Sequence, residues 1–441
     1  MKLTELHIKD YNQFEDFKLD LTYPEGHPKA GQALDKVCFI GQSGTGKTSL
    51  IELIGKTLNS IILTSQKEKG VSYSNVGTEL QVKLENGIGA TVKSDRQLSF
   101  ISHIDEKTYT IYISMENNSL SNLNDNKSNL SKIYYFPDDI PLQKQVIDEK
   151  TSFNKEAYFI NFGEVDFKEN WSLINDAIIK DRELEIKTSL ETSKALQNSE
   201  LSNDDILKIR QEYINWRKNS PNPIVDLAEN FLDKILNRFN LKVKTELDFE
   251  RKEDIETIKI QTRQGEDIPF EGLSTGTKQV ILTALPLYGL KPEKAIILFD
   301  EPERSLYPDI QKEIVDFYTS MAKDSQFFFA THSPLIASSF EPWEIVELKF
   351  NEKGKVYQEQ YYEGEKHVDN YIINPQYLTW TGILQKVFDL EQESNPLRDR
   401  QLIELATLES QLKSNALNFS IEKKKEIFEK YQKLATLLNW E

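Results

Sequence analysis

The chain begins with alternating apolar and polar residues. Over residues 1–22 the apolar side chains keep a period of two, which is typical of strands with one buried face. Asn12-Gln13 interrupts this alternation and predicts a hairpin turn. A second alternating region, residues 79–115, carries Asn86-Gly87 between two apolar segments, and this dipeptide is a strong hairpin signal. The two regions together predict an antiparallel β lobe.

A different pattern occurs at three places, where four or five apolar residues follow one another without a polar interruption. These runs are Val37–Ile40, Ala295–Phe299 and Phe327–Ala330. Short runs of this kind predict strands that are buried on both faces, as in a parallel sheet. Helical patterns follow the first run, over residues 49–54, and precede the second, over residues 280–290. The predicted fold class is therefore α/β.

The remaining segments are mainly helical in pattern. Residues 167–240 are rich in Lys, Glu and Asp and are interrupted at residues 219–223, whereas the Asn- and Ser-rich residues 117–131 predict an exposed loop. Residues 345–362 alternate as edge strands do, and the chain from Tyr377 onward predicts a mostly helical tail.

The tail carries two apolar stripes. Leu402, Leu405, Leu408 and Leu412 form the first stripe, and a second helix can begin after Ser420 as its cap. Two interpretations remain open: a helical hairpin packed on its own domain, or a surface for an oligomer or another partner.

Composition narrows the class of protein. The 441 residues carry 54 Lys and Arg against 71 Asp and Glu, a net charge of −17, which makes non-specific nucleic-acid binding unfavourable. Cys38 is the single cysteine, so no internal disulfide can form and a reducing compartment fits. No run approaches 18 apolar residues and the first residues do not resemble a signal peptide, so we expect a cytoplasmic protein without a membrane span.

The run Val37–Ile40 leads into the sequence GQSGTGKT, residues 41–48. This sequence fits G-x-x-x-x-G-K-[ST], the phosphate-binding loop, and it stands between a predicted strand and a predicted helix as the motif requires. Glycines allow backbone N–H groups to surround a phosphate, and the helix N-terminus adds partial positive charge. Lys47 would reach the β- and γ-phosphates, and Thr48 would place its hydroxyl on Mg²⁺. The residues predicted to bind the phosphates are Gly41, Gln42, Ser43, Gly44, Thr45, Gly46, Lys47, Thr48 and Ser49.

Polar residues also stand at the ends of the other two apolar runs. Asp300 and Glu301 follow the second run, at the strand end where ligands bind in parallel α/β sheets. Asp300 can hold Mg²⁺ through water, and Glu301 can take the proton of an attacking water. His332 follows the third run and can hydrogen-bond a γ-phosphate. The predicted catalytic residues are Glu301, His332 and Lys47, and the predicted metal ligands are Thr48 and Asp300.

A further candidate segment is LSTGTKQ, residues 273–279, which follows a predicted strand and opens a predicted helix. Ser274 and Gly276 there can offer a hydroxyl and backbone N–H groups to a phosphate. We therefore add both residues to the predicted nucleotide-binding set.

In this order the four segments resemble the motifs of ABC-type ATPases. GQSGTGKT resembles the Walker A motif, LSTGTKQ the signature motif, IILFDEPE the Walker B motif with its catalytic glutamate, and ATHSP the switch histidine. The resemblance implies an ABC-ATPase head, a P-loop NTPase, that binds ATP and Mg²⁺ and hydrolyses ATP. It also implies that Ser274 and Gly276 act in trans on ATP held by another subunit, in a head-to-tail dimer or higher oligomer. The implied domains are residues 1–150 (first half of the head, with the β lobe), 151–240 (helical insert), 241–350 (second half of the head) and 351–441 (mostly helical tail).

Two stretches point to a branch of this family. Residues 6–14, LHIKDYNQF, resemble the first strands of the SMC, RecF and OLD branch. Residues 300–308, DEPERSLYP, resemble the D-E-P-E-x-x-L-H-P form of OLD-like defence ATPases. The resemblance implies the ATPase subunit of a prokaryotic anti-phage complex, similar to those of Septu and PARIS, working with a separate effector such as a nuclease. A RecF- or SMC-like DNA repair ATPase, with nucleic acid as partner, is the alternative; a transporter subunit fits these two stretches poorly.

Overall fold

A computed structural model gives the structure of most of the chain. The described residues are 2–65, 80–85, 88–92, 98–104, 107–113, 131–140, 157–165, 167–197, 202–220, 222–246, 258–390, 394–414 and 419–440. They fall into two compact units, Met1–Leu378 and Thr379–Glu441.

The strands of the described residues all lie in the first of these units. In chain order they are β1 Leu3–Tyr11, β2 Phe14–Asp20, β3 Lys36–Gly41, β4 Leu80–Leu84, β5 Ile88–Val92, β6 Leu98–Ile104, β7 Lys107–Ile113, β8 Ile133–Phe136, β9 Phe159–Asn161, β10 Leu241–Val243, β11 Ile260–Thr262, β12 Asp267–Ile268, β13 Ile296–Asp300, β14 Gln326–Ala330, β15 Ile345–Phe350 and β16 Val356–Glu359. In this part of the chain β10, β11 and β12 form a small sheet, and the other strands form one large sheet in the order β7-β6-β5-β4-β1-β2-β16-β15-β3-β14-β13-β8-β9.

The helices of the same residues lie mainly in the middle and at the end of the chain. They are α1 Lys47–Ser65, α2 Phe167–Leu196, α3 Asn203–Asn219, α4 Pro223–Val225, α5 Asp233–Leu236, α6 Thr275–Leu290, α7 Pro308–Thr319, α8 Pro334–Ala337, α9 Trp380–Lys386, α10 Pro396–Lys413 and α11 Ile421–Leu438. A π-helical turn, Asp226–Leu232, joins α4 to α5. Among these helices, none combines the length and the apolar composition that crossing a membrane requires.

The three apolar runs of the sequence form neighbouring parallel strands. β3 pairs with β14 and β14 with β13, and every residue of β13 and β14 is buried. Phe39 and Asp300 both lie opposite Ala330, one from each side, so the carboxyl ends of the three strands are level. The prediction of a buried parallel sheet is confirmed, and this alignment brings the polar residues that follow each strand to one edge.

Helix α1 packs closely on this sheet. A side chain at Gly55 would put its Cβ only 2.9 Å from the side chains of both Leu298 and Phe159, so a larger residue there would require these side chains to shift. On the sheet, Phe299 stacks between Phe136 and Phe329 with ring centroids 5.1 and 4.9 Å away. The start of α1 is thereby fixed relative to the ends of β13 and β14.

The antiparallel lobe is also confirmed. β1 and β2 form the hairpin predicted at Asn12-Gln13, where Asn12 has a positive φ of 51°. β4, β5, β6 and β7 continue it as antiparallel neighbours. The turn residues 86–87 and the predicted loop at 117–131, apart from residue 131, lie outside the described residues.

The prediction of edge strands at residues 345–362 is wrong. β15 lies inside the large sheet, parallel to β3 on one side and antiparallel to β16 on the other, and β16 pairs with β2 through Val356 and Phe14. Strand alternation reports which face is buried, but it does not report whether a strand has one neighbour or two. β15 and β16 therefore join the antiparallel lobe to the parallel half of the sheet.

The second unit is helical, as predicted. α10 and α11 pack against each other, and Leu405, Ile427 and Leu438 are its buried residues on these two helices. Ser420 caps α11, because its Oγ accepts a hydrogen bond from the Lys423 N–H at 3.2 Å. The choice between the two interpretations of the tail stays open.

Candidate functional site

The phosphate-binding loop connects β3 to α1 in the geometry that the motif predicts. Gly41, Gly44 and Gly46 have φ values of +141°, +88° and +85°, a region that favours glycine. A Cβ on Gly41 would lie 2.3 Å from the carbonyl oxygen of Leu348 in β15. The loop therefore packs closely against the sheet, and its backbone adopts a conformation that residues other than glycine rarely adopt.

Lys47 lies under this loop, with only 6% of its surface exposed. Its Nζ donates hydrogen bonds to the carbonyl oxygens of Gly41 at 2.9 Å and Gln42 at 3.2 Å. Burial lowers the pKa of Lys47 to about 8, although the charges of Glu301 and Asp300 oppose this shift. The ammonium is thus a buried cation that is still mostly protonated at pH 7 and lies in the field of the carboxylates.

Asp300 and Thr48 come together as the predicted metal ligands. Asp300 is 4% exposed, and the Thr48 side chain lies close enough to its carboxylate to affect its pKa. Burial raises the pKa of Asp300 to about 6, with Asp138 and Glu301 adding repulsion and the polar Thr48 side chain opposing the shift. A nearby cation would remove this destabilisation of the carboxylate.

Glu301 and His332 face each other across the ends of β13 and β14. The Nε2 atom of His332 is 3.7 Å from the Oε1 atom of Glu301, and both side chains remain about two-fifths exposed. Burial lowers the pKa of His332, as does the charge of Lys47, so the imidazole favours its neutral form. Glu301 has a positive φ of 44°, which is uncommon for a non-glycine residue and concentrates at functional sites. Its N–H donates to the carbonyl oxygen of Ala330 at 2.9 Å, which holds this conformation.

The signature residues lie at the start of α6. Ser274 caps the helix, since its Oγ accepts a hydrogen bond from the Thr277 N–H at 3.2 Å. A Cβ on Gly276 would lie 2.4 Å from the carbonyl oxygen of Ser305, so this turn of α6 rests against the loop that follows β13. These contacts of the two residues are with α6 and with that loop, and not with the phosphate-binding loop.

Two groups at the site were not predicted from the sequence. Gln13 lies over the phosphate-binding loop, where its Nε2 donates to the carbonyl oxygen of Gly44 at 3.3 Å. Arg304 forms an ion pair with Asp138, 2.5 Å between Nη1 and Oδ2, and so links the loop after β13 to the residues after β8. The turn at Asn12-Gln13 was visible in the sequence, but its packing on the loop depends on the distant pairing of β2 with β16.

The residues present fit a nucleoside triphosphate with Mg²⁺. The glycine loop exposes backbone where a phosphate chain needs it, and Lys47 supplies a buried cation next to it. Thr48 and Asp300 would supply a hydroxyl and a carboxylate, and Mg²⁺ in nucleotide sites usually takes one or two carboxylates together with phosphate oxygens. No cluster of three or more His, Cys, Asp or Glu that could hold a metal is found among the described residues.

Comparison with solved structures finds similarities at low sequence identity. Among solved structures it is similar to an SMC head bound to the C-terminal winged-helix domain of ScpA, with 13% identity, a TM-score of 0.42 and coverage of 82% of this chain and 98% of that one. The Smc head of Pyrococcus furiosus with an extended coiled coil, bound to the C-terminal domain of ScpA, shares 12% identity with a TM-score of 0.40, covering 81% and 96%. The SMC head domain of Thermotoga maritima shares 12% identity with a TM-score of 0.37, covering 82% and 99%.

A family model identifies the family to which the sequence belongs. No curated protein matches the chain. The family model for the AAA ATPase domain matches residues 1–337, well over half of the chain, and with the sheet described above it confirms the predicted fold class of an α/β P-loop ATPase head. The chain therefore belongs to the AAA ATPase domain family and is a nucleotide-binding protein.

Proposed function

We propose that this chain binds ATP with Mg²⁺ and hydrolyses it to ADP and phosphate. The observation that carries the proposal is the convergence of a buried lysine, a hydroxyl–carboxylate pair and a glutamate–histidine pair at one edge of the sheet. Each of these groups has a recognised task in phosphoryl transfer, and the ends of β3, β13 and β14 bring them together.

Each of these residues has a separate role in the proposed reaction. Lys47 binds the phosphates, and Thr48 with Asp300 holds Mg²⁺, which neutralises charge on the phosphate oxygens when it is bound. Glu301 orients the attacking water and accepts its proton. His332, favoured in its neutral form, donates a hydrogen bond to the terminal phosphate, and its Nε2 lies 3.7 Å from Oε1 of Glu301, so the water and the phosphate that it attacks are bound by neighbouring side chains.

Phosphate release from ATP by the unaltered chain tests this function. We expect saturable release in the presence of Mg²⁺ and loss of release when EDTA removes the metal, because the phosphate oxygens then lose the cation that Asp300 and Thr48 would hold against them. A chain that binds ATP yet releases no phosphate at any protein concentration would contradict the proposal.

The catalytic unit in this proposal is a head-to-tail dimer with composite sites. Ser274 and Gly276 lie at the start of α6, where Gly276 rests against Ser305, and the resembled family uses such residues to cap ATP in a neighbouring subunit. Self-association would then bury two nucleotides, each between the phosphate-binding loop of one chain and α6 of the other.

Mixing two inactive chains tests the composite site. A Lys47→Ala chain lacks the phosphate cation, and a Ser274→Arg chain carries a bulky cation in place of the helix cap, so each should be inactive alone. In a mixed dimer one interface carries both lesions and the other carries neither, so if sites act independently each mixed dimer should have about half of the activity of the unaltered dimer. An equal mixture that pairs at random should recover about a quarter, since about half of its dimers are mixed. No recovery, in a sample where mixed dimers are shown to form, would count against independent composite sites.

The biological role in this proposal is that of an ATPase subunit of a defence complex with a separate effector, such as a nuclease. Its support is the resemblance of residues 300–308 to OLD-like defence ATPases, and a RecF- or SMC-like repair role is equally compatible. A cytoplasmic location belongs to the same proposal, and its support is that the single cysteine, Cys38, cannot form an internal disulfide. An adjacent gene for a nuclease would favour the defence role.

A further inference from the structure

One buried carboxyl group at the site takes no part in the proposed chemistry. Glu303 lies in the turn after β13, is only 8% exposed, and its Oε2 atom finds no hydrogen-bond partner among the described residues. Its Oε1 atom accepts two hydrogen bonds, from the hydroxyl of Thr331 and from the N–H of His332 at 3.3 Å. Both donors belong to the segment that carries the histidine.

The hydroxyl of Thr331 is fixed in direction by a second hydrogen bond. It accepts from the N–H of Ser333 at 2.9 Å, so its single proton is free to be donated to Glu303. Thr331 is fully buried, and no water can replace either partner without a cavity. Thr331 and His332 are therefore bonded directly to Glu303, and Ser333 is connected to it through the hydroxyl of Thr331.

This attachment determines how two functional side chains meet. Glu301 and Glu303 share one turn, and the N–H of Glu301 is bound to Ala330 while the carboxyl of Glu303 is bound to Thr331 and His332. The two connections lie on either side of the 3.7 Å approach between Glu301 and His332. Of these two connections, the one through Glu303 is the one that reaches Thr331 and His332 themselves. Replacing Glu303 would therefore remove it.

We infer that Glu303 is a positioning residue, a buried hydrogen-bond acceptor that sets His332 at the correct distance from Glu301. The inference rests on the proposed ATP hydrolysis at the same site. It assigns to Glu303 the role of an acceptor and not of a base or a metal ligand.

The charge of Glu303 is poorly compensated in its buried position. Among the described residues no ion pair reaches it, and burial raises its pKa to about 7. A buried carboxylate without a cation is unfavourable, whereas a neutral group can accept the same hydrogen bonds. Glutamine has the same shape and keeps an oxygen acceptor, so it should replace glutamate here but not at Glu301.

Variants that separate the acceptor from the charge test this inference. Glu303→Gln and Glu303→Ala both remove the charge, and only the second removes the acceptor. We expect Glu303→Ala to lower kcat about 10- to 100-fold, as a displacement of about 1 Å can do, with the ATP dissociation constant changed less than about threefold. Glu303→Gln should recover most of that loss. Thr331→Val, which removes the hydroxyl but keeps the shape, should match Glu303→Ala, and Thr331→Ser should recover.

Histidine NMR provides a readout that does not depend on turnover. The His332 ring signals can be identified among those of the five histidines by their absence in a His332→Gln chain. They should shift in Glu303→Ala and Thr331→Val and stay in place in Glu303→Gln. If the unaltered chain shows no phosphate release, the proposed function fails but these signals still test the positioning role.

Two results would overturn the inference. Loss of turnover in Glu303→Gln as complete as in Glu301→Gln would make Glu303 a base or a ligand. Unchanged kcat and unchanged His332 signals in both Glu303→Ala and Thr331→Val would show that the histidine needs no such acceptor. If Glu303→Ala does not fold, Thr331→Val with Thr331→Ser decides alone.

Discussion

Replacing Glu301 with glutamine is expected to stop ATP turnover while ATP binding persists. Glutamine keeps the size of the side chain but cannot accept the proton of the attacking water, and such a base contributes about 10²- to 10⁴-fold to a rate. Phosphate release should fall by that factor, and nucleotide titration should give an affinity close to that of the unaltered chain. In a head-to-tail dimer the unhydrolysed ATP should also trap the assembly, so sizing chromatography with ATP should show a larger species.

Glu313 provides a matched control for this substitution. It is an exposed glutamate on α7 that pairs with Arg238 and is not among the residues assigned to the site. Glu313→Gln should leave turnover unchanged, because an exposed ion pair of this kind contributes little. Normal hydrolysis by Glu301→Gln would assign the base to another residue.

Replacing Lys47 with alanine is expected to remove most ATP binding. Lys47 is a nearly buried cation, and its Nζ reaches the carbonyl oxygens of the loop that would surround the phosphates. Loss of one partner of a buried, hydrogen-bonded charge pair costs about 2–5 kcal/mol, which corresponds to a loss of affinity of about 30- to 4,000-fold. Calorimetric or fluorescence titration with a nucleotide measures this directly.

Lys56 serves as the control for that experiment. It lies on the same helix, α1, and forms an exposed i,i+4 ion pair with Glu52 at 2.6 Å. Lys56→Ala should bind ATP as the unaltered chain does, which separates the loss of a phosphate cation from a general loss of positive charge. Equal affinities of the Lys47→Ala and unaltered chains for ATP would show that residues 41–48 do not bind its phosphates.

The sequence predicts those parts of this site that depend on residues close to one another along the chain. The glycine loop, Asp300 and His332 each follow an apolar run, and runs buried on both faces are the signature of parallel strands. Once those runs pair side by side, as they do at Ala330, the polar residues after them must converge. Their proximity could therefore be predicted without knowledge of the remaining chain.

Other parts could not be predicted, because they depend on partners far apart in the sequence. The alternation of β15 and β16 gave no indication that these strands join the two halves of the sheet. Gln13 reaches Gly44 in a hairpin that is held there by distant contacts, one of which is the hydrogen bond from the Val356 N–H to the carbonyl oxygen of Gln13 at 2.9 Å. Glutamate is a residue type that usually lies on the surface. Glu303 is buried because the turn that carries it packs against Thr331. Charge alone predicts exposure, and only a specific tertiary partner reverses it.

The structure of the Glu301→Gln chain with ATP and Mg²⁺ tests the central claim most directly. The account predicts that the phosphates contact residues 41–48 and Lys47, that Mg²⁺ contacts Thr48 and Asp300, and that Ser274 of a second copy faces the terminal phosphate. The amide that replaces the Glu301 carboxyl should lie beside His332 at that phosphate. ATP bound elsewhere on the chain, or capped by Ser274 of the same copy, would contradict the account.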